Sequence, residues 1–350
     1  MLYKTKNPHG GDIYSEKVLL DFSVNTNPFG SPRGVKDAVC GMIDKMDSYP
    51  DPYCRELVKK ISEWENIPDD YILCGNGASE LIYSYFEALM PRRVLETAPS
   101  FLEYSAVFEN TGCSVLRYNL SEKNGFELDE GILDFLENEK PDVFVICNPN
   151  NPTGRLVKPD LMEKILFACE KNNARLFVDE CFLDLTEKGI SMKAYLERFP
   201  NLFILKAFTK SYGMAGLRLG YCMCSDEELL EKMSKRVQPW NVSIFAQKAG
   251  AAALEESGFL EKSRKYISAE RKYLAESLVN LGFSVIPSDA NYLLFCGEKD
   301  LDIKLKEQGI LIRNCGNYYG LGEGWYRIAV RIHEENEGLI KRLKSICEKR

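Results

Sequence analysis

Ala207-Phe208-Thr209-Lys210-Ser211-Tyr212-Gly213-Met214-Ala215-Gly216-Leu217-Arg218 decides how the rest of this chain is read. It follows an apolar run, Phe203-Ile204-Leu205, that reads as a buried strand. A lysine end beyond such a strand is costly to bury unless it is paired or chemically used. A Schiff base would use it. The amine would hold an aldehyde cofactor, and Thr209 with Arg218 would hold that cofactor's phosphate. Taken alone, a surface lysine with a half-covered stem is the simpler reading of Lys210. Three other motifs, at three other strand ends, decide against it.

Outward from that stretch, β-rich apolar runs alternate with helical patterns. The runs are Tyr71–Cys74, Arg93–Glu96, Ser114–Tyr118, Val143–Cys147, Leu176–Val178, Phe203–Leu205 and Leu219–Cys222. Amphipathic stretches lie between them, such as Leu161–Lys171, apolar at Leu161, Ile165, Leu166 and Cys169. This alternation predicts an α/β fold with a mainly parallel seven-stranded sheet covered by helices on both faces. After about Val237 the pattern changes. A long helical region, Ser243–Leu281, precedes shorter strands at Phe283–Ile286, Tyr292–Phe295, Ile310–Ile312 and Arg327–Val330, then a helix at Glu334–Cys347. The expected division is a large domain over residues 46–237 and a smaller α+β domain built from 1–45 and 238–350.

Ligands of open parallel sheets bind beyond the carboxyl ends of the strands. Four segments are predicted there. Gly75-Asn76-Gly77-Ala78-Ser79-Glu80 opens a helix at Leu81–Leu89 and offers backbone N–H groups to a single phosphate. It lacks the Lys-Ser/Thr of a P-loop and reads alone as an ordinary turn. Asn148-Pro149-Asn150-Asn151-Pro152-Thr153-Gly154 follows the next strand to reach the rim, and its Asn151 can donate to a ring hydroxyl. Asp179, after Leu176-Phe177-Val178, is a carboxylate in need of a cation, which a protonated pyridine nitrogen supplies. Without the other segments it would read as a helix cap. Lys210 is the fourth. Phe101, in Pro99-Ser100-Phe101, can stack on a flat ring or simply fill a core. A lysine, a phosphate cup, a pyridinium partner, a phenolate partner and a stacking ring together meet the demands of pyridoxal 5′-phosphate.

In order and spacing these motifs resemble the class I/II aminotransferases, the fold-type I pyridoxal enzymes, over nearly the whole chain. The resemblance implies that Lys210 carries the cofactor and moves the proton. It places Asp179 on the ring nitrogen and Asn151 on the ring oxygen. Gly77, Ala78, Ser79, Thr209 and Arg218 fall at the phosphate. Arg327, in Trp325-Tyr326-Arg327, matches the family's substrate-carboxylate arginine. Tyr49, in Ser48-Tyr49-Pro50, matches a tyrosine that reaches the cofactor phosphate of the other subunit in a homodimer with shared active sites. Ala207 departs from the family, which often has Ser or Thr there.

Two branches of the family compete: threonine-phosphate decarboxylases, which serve cobalamin side-chain synthesis, and histidinol-phosphate aminotransferases. A general amino-acid transaminase is the further alternative. His9-Gly10-Gly11, Asp21-Phe22-Ser23-Val24-Asn25-Thr26-Asn27-Pro28-Phe29-Gly30, Asp179-Glu180-Cys181-Phe182-Leu183-Asp184 and Ile312-Arg313-Asn314-Cys315-Gly316-Asn317-Tyr318 resemble the decarboxylase branch. Thr26 stands where the aminotransferases usually carry Glu, and Phe182 where most carry Tyr. The expected substrate is a small phosphorylated amino acid, met by His9, Asn27, Arg313 and Arg327.

Composition narrows the remaining classes. The chain has 350 residues, 45% hydrophobic and 28% charged, as a globular enzyme does. A net charge of −7 disfavours nucleic acid and anionic membranes as partners. No apolar stretch is long enough for a transmembrane helix. Met1–His9 lacks the apolar core of a signal peptide, and twelve cysteines without scaffold spacing suit a reducing cytoplasm. Two histidines, His9 and His333, are too few and too far apart for a metal site or a Ser-His-Asp triad, so no metal is expected. A pyridoxal-fold binding protein without catalysis is disfavoured by the joint presence of Lys210, Asp179 and Arg218. A nucleotide-dependent α/β enzyme is disfavoured by the incomplete phosphate loop.

Overall fold

The computed structural model describes residues 9–14 and 17–348. The opening stretch up to Pro8, expected to carry no leader, lies outside the described residues. Seven strands form the central sheet. They are β1 (Ile72–Gly75), β2 (Arg93–Ala98), β3 (Ser114–Asn119), β4 (Val143–Cys147), β5 (Arg175–Asp179), β6 (Leu202–Ala207) and β7 (Gly220–Met223). Their spatial order is β1-β7-β6-β5-β4-β2-β3. β7 runs antiparallel to β1 and β6, whereas the other pairs are parallel.

Every residue of β4 and β6 is buried, which explains their unbroken apolar runs. Successive side chains point to opposite faces of the sheet. Phe144, Ile146, Leu176 and Val178 join Leu161 and Ile165 of helix Pro159–Lys171 on one face. Val145, Phe177 and Phe203 join Leu81, Tyr85 and Phe86 of helix Gly77–Leu89 on the other. Pro159 stands in the first turn of the former helix with Asp160 behind it, and Lys171 stands in its last turn. That placement suits both the missing proline donor and the helix dipole.

A second, antiparallel sheet contains β8 (Ser284–Val285), β9 (Tyr292–Cys296), β10 (Arg313–Asn314) and β11 (Trp325–Ala329), in the order β10-β11-β9-β8. The N-terminal segment returns to this part of the molecule. Leu20–Asp21 pairs in parallel with Ile310–Leu311, and the Phe22 carbonyl accepts the Ala329 N–H at 2.9 Å.

Two local expectations are corrected. The helical region predicted over Ser243–Leu281 is two helices, Ile244–Glu255 and Phe259–Asn280. Gly258, at φ +74°, turns the chain between them in a conformation that costs other residues energy. β10 is also unforeseen. Two polar residues carry no alternation to read, and the strand exists through its pairing with β11. Among the described residues no helix is long and apolar enough to cross a membrane.

Candidate active site

Four strand ends converge on one rim. β1 feeds the Gly77–Leu89 helix, β4 feeds Asn148–Gly154, β5 ends on Asp179, and β6 feeds the short helix Phe208–Ser211. A cavity of about 840 Å³ opens there, with Ser79, Asn151, Asp179, Thr209, Lys210 and Arg218 among its lining residues.

One end of the cavity is shaped for an anion. The Gly77–Leu89 helix starts with Gly77 at φ +80°, where a Cβ would lie 2.7 Å from Arg218 Nη2. A Cβ at Gly220 would lie 2.7 Å from the Ala78 nitrogen. Two glycines therefore let a helix N-terminus, β7 and a guanidinium crowd together. Free N–H groups, helix dipole and arginine favour the same negative charge. Ala78, Ser79 and Thr209 line this end, as does Ala207. Arg218 is exposed and holds a left-handed backbone, φ +56°.

Asp179 forms the floor and is 5% exposed. Its Oδ2 accepts the Tyr104 hydroxyl at 2.5 Å, and its Oδ1 accepts the Cys181 N–H at 2.9 Å. Burial pushes the Asp179 carboxyl up, against these bonds and the Lys210 charge, which pull it down. Lys210 is half-buried, with its amine 5.6 Å from the centre of the Phe182 ring. Burial, then the charge of Arg327, lowers the Lys210 amine to about 8. A fraction of it is therefore neutral and nucleophilic near pH 7. Phe101 lines the cavity and meets Tyr104 edge-on, with ring centres 5.5 Å apart.

The opposite wall comes from the second sheet and the N-terminal segment. Arg313 and Arg327 are directly paired across β10 and β11, at 9% and 6% exposure. Like charges in that register repel, and buried charges need partners. Neutral oxygens meet part of the demand. Arg327 donates to Asn151 Oδ1 and, through Nη2, to the Ser23 carbonyl at 2.8 Å. With its amide turned to satisfy both ends, Asn25 accepts from Arg327 Nε and Nη1 at 3.2 Å. A carboxylate taken bidentately by Arg327 would displace one of these partners. Arg313 donates to the Asn314 carbonyl at 2.7 Å and Asn317 Oδ1 at 2.9 Å. His9 also lines the cavity, with Nε2 2.8 Å from Glu103 Oε1.

Asn27 is corrected. It is buried away from the cavity, and its amide donates to the Ser211 carbonyl and Ser263 Oγ, both at 2.8 Å. It ties the N-terminal segment to the helix bearing Lys210, while Asn25 lines the cavity two residues earlier. Tyr49 lies outside the lining of its own subunit's cavity. It is 77% exposed and stacks on Trp240 with ring centres 4.4 Å apart. Gly77 acts through the room that it leaves for Arg218. Tyr104 and Glu103 escape the sequence reading, whereas Asn25 and Tyr318 fall inside motifs quoted there without being named as site residues. Tyr104 and Glu103 lie just past Phe101 and look like ordinary helix residues, and the spacing carries no signal that Glu103 lines the cavity or that Tyr104, buried behind it, donates to Asp179. Among the described residues no group of three or more His, Cys, Asp or Glu is placed to hold a metal ion.

Helices on both faces of a seven-stranded sheet, with a lysine and a carboxylate at its strand ends, define a fold-type I architecture. The chain belongs to the aminotransferase class I and II family, whose model matches residues 17–343. It is 35% identical to a threonine-phosphate decarboxylase of Salmonella typhimurium, over 97% of this chain and 96% of that protein. The crystal structure of a histidinol-phosphate aminotransferase from Clostridium acetobutylicum superposes with a TM-score of 0.88 at 30% identity, over 95% of this chain and all (100%) of that one. The Sinorhizobium meliloti histidinol-phosphate aminotransferase, solved in complex with pyridoxal 5′-phosphate, shares the fold. Its TM-score is 0.84 at 19% identity, covering 95% of this chain and 92% of that one.

Proposed function

We propose that this chain is a pyridoxal-phosphate enzyme that decarboxylates L-threonine O-3-phosphate. The observation that carries the substrate class is the buried cross-strand pair Arg313 and Arg327, which lines the same cavity as Lys210 but comes from the second sheet, whereas Arg218 and the helix N-terminus belong to the rim of the first. One anion site serves the cofactor phosphate. The second, with His9, serves a substrate that brings both a carboxylate and a phosphate.

The cofactor fits the residues present. Asp179 is a buried carboxylate whose two hydrogen-bond donors are neutral, so a cationic ring nitrogen completes it. The Gly77–Arg218 cradle suits a phosphate, and Phe101 suits a ring face. Asn151 spends its oxygen on Arg327, which leaves its amide to donate to the ring oxygen. When bound, the cofactor supplies an electron sink for a carbanion at the substrate Cα.

The side chains divide the remaining work. Arg327 binds the carboxylate, and Arg313 with His9 takes the phosphate. The Cα bond held perpendicular to the ring is the one that breaks. If that bond leads to the carboxylate, carbon dioxide leaves and the Lys210 amine returns a proton to Cα. If it is Cα–H, the same amine removes the proton and transamination follows. Histidinol-phosphate transamination is the second reading, favoured by the 30% identical Clostridium structure. Thr26 and Phe182, at positions where that branch usually has Glu and Tyr, favour decarboxylation.

We assign residues 46–237 to a large cofactor-binding domain, and 1–45 with 238–350 to a smaller domain that carries the substrate wall. The enzyme works in the cytoplasm as a homodimer. Arg218 is exposed at the phosphate end, and Tyr49 with Trp240 presents an aromatic surface that suits the other subunit's site. Product analysis tests the reading. Holoenzyme with L-threonine phosphate should release carbon dioxide and aminopropanol phosphate. Glutamate from histidinol phosphate and 2-oxoglutarate, with no carbon dioxide from threonine phosphate, would establish the second reading instead.

A further inference from the structure

The hydroxyl of Tyr104 is the closest partner that Asp179 has. Tyr104 is fully buried on the helix Leu102–Thr111, with its oxygen 2.5 Å from Asp179 Oδ2. Its ring is fixed edge-on between Phe101, at 5.5 Å between centres, and Phe177, at 6.2 Å. Phe177 lies on β5 two residues before Asp179, so one strand supplies both the carboxylate and the wall that aims the phenol at it. A carboxylate can only accept from a neutral phenol, so the direction of this bond is settled. Burial, then the Asp179 charge, raises the Tyr104 hydroxyl well above its ordinary value and keeps its proton in place.

We propose that Tyr104 is a positioning residue for the cofactor's ring nitrogen. By donating to Asp179 Oδ2, it holds that carboxylate in orientation and keeps it a weak enough base to leave the proton on the ring. The inference rests on the cofactor reading above. A hydrogen bond donated to a carboxylate lowers its affinity for a proton. Asp179 and the ring nitrogen share one proton in a dry site, where burial already makes the carboxylate more basic. The phenol and the Cys181 N–H oppose that tendency. Without the phenol, the proton moves toward Asp179, the ring loses positive charge, and the ion pair that anchors it weakens.

Cofactor labelled with 15N at the ring nitrogen tests this directly. Wild-type and Tyr104→Phe apoenzymes would be reconstituted and the nitrogen signal recorded, with cofactor affinity measured alongside. The wild type should show a protonated pyridinium. The variant should shift toward neutral pyridine and bind cofactor about tenfold more weakly, the expected order for one lost charge-assisted bond. A purely structural role predicts the same nitrogen signal in both, because phenylalanine keeps the ring contacts with Phe101 and Phe177. That result would overturn the proposal. If the phenylalanine variant does not fold, a fluorotyrosine at position 104 keeps ring and hydroxyl but donates more strongly. It should raise the pH at which the ring nitrogen loses its proton, and an unchanged pH for that loss would likewise overturn the idea. A wild type that binds no cofactor at all would overturn both this inference and its parent reading.

Discussion

The two walls of the cavity are built differently. The floor, with Asp179, Lys210 and the Gly77 turn, rests on ends of the seven-stranded sheet, where each side chain is fixed by a strand buried on both faces. The wall proposed to meet the substrate, with His9, Arg313 and Arg327, comes from a short antiparallel sheet and an N-terminal segment laid against it. The floor presents one amine of lowered basicity above one carboxylate. The far wall sets two buried arginines face to face across adjacent strands, like charges that a bound anion would offset. Chemistry common to a family suits the rigid part, and selection among substrates suits the part assembled from distant segments.

The largest effect should come from the floor. Lys210→Ala should lower kcat by at least about 10⁴-fold, the upper range for removing a positioned acid-base group. Borohydride reduction of the wild type should fix the cofactor onto Lys210, as peptide mapping by mass spectrometry would show. A reducible cofactor held on another lysine in the variant would break the contrast at its root.

The support behind the floor should show in acid. On β6, Lys206 points away from the site and pairs with Glu65 at 3.2 Å and Asp184 at 2.6 Å. Burial pushes the Glu65 carboxyl up, but Lys206, then Lys193 and Tyr221, outweigh it and hold it at about 2, against an ordinary 4.5. Its folded value lies below its unfolded one. The stability it contributes is thus complete above 4.5 and is lost as pH falls toward 2. That contribution is on the order of 3 kcal/mol. Urea unfolding at pH 7 and pH 3.5 should show a smaller pH dependence for Glu65→Gln than for the wild type. An equal dependence would mean that the cluster does not brace β6.

The substrate wall should give smaller and more selective losses. Arg327→Ala should raise KM sharply for every amino-acid substrate, by about one to two decades in kcat/KM. His9→Ala should cost about one decade, and only for phosphorylated substrates. Steady-state kinetics on threonine phosphate and threonine separate the two. Equal losses on both substrates for His9→Ala would erase the distinction between the arginine and the histidine.

The same difference governs what could be read from the amino acids. Unbroken runs such as Val143–Cys147 announce buried parallel strands, and the chemically odd residues that follow them are visible for that reason. Arg313 and Arg327 were recognisable only by resemblance, and nothing in the sequence showed that they face each other across two strands. β10 is two polar residues long and is specified by its partner. Asn27 illustrates the opposite error. It looked like a substrate ligand because its motif does, yet its amide is consumed by Ser211 and Ser263. Tyr104 was hidden because a tyrosine one turn into a helix has no distinguishing pattern. Its role appears only when β5 brings Asp179 beneath it.

The central claim is that the cavity holds a second anion site, at Arg313 and Arg327, besides the one proposed for the cofactor phosphate. The most direct measurement is kcat/KM of the wild-type holoenzyme for L-threonine phosphate against L-threonine. The phosphate ester should be preferred by at least about tenfold, the worth of one charge-assisted contact. Equal use of the two compounds would contradict the account and leave a general amino-acid enzyme in its place.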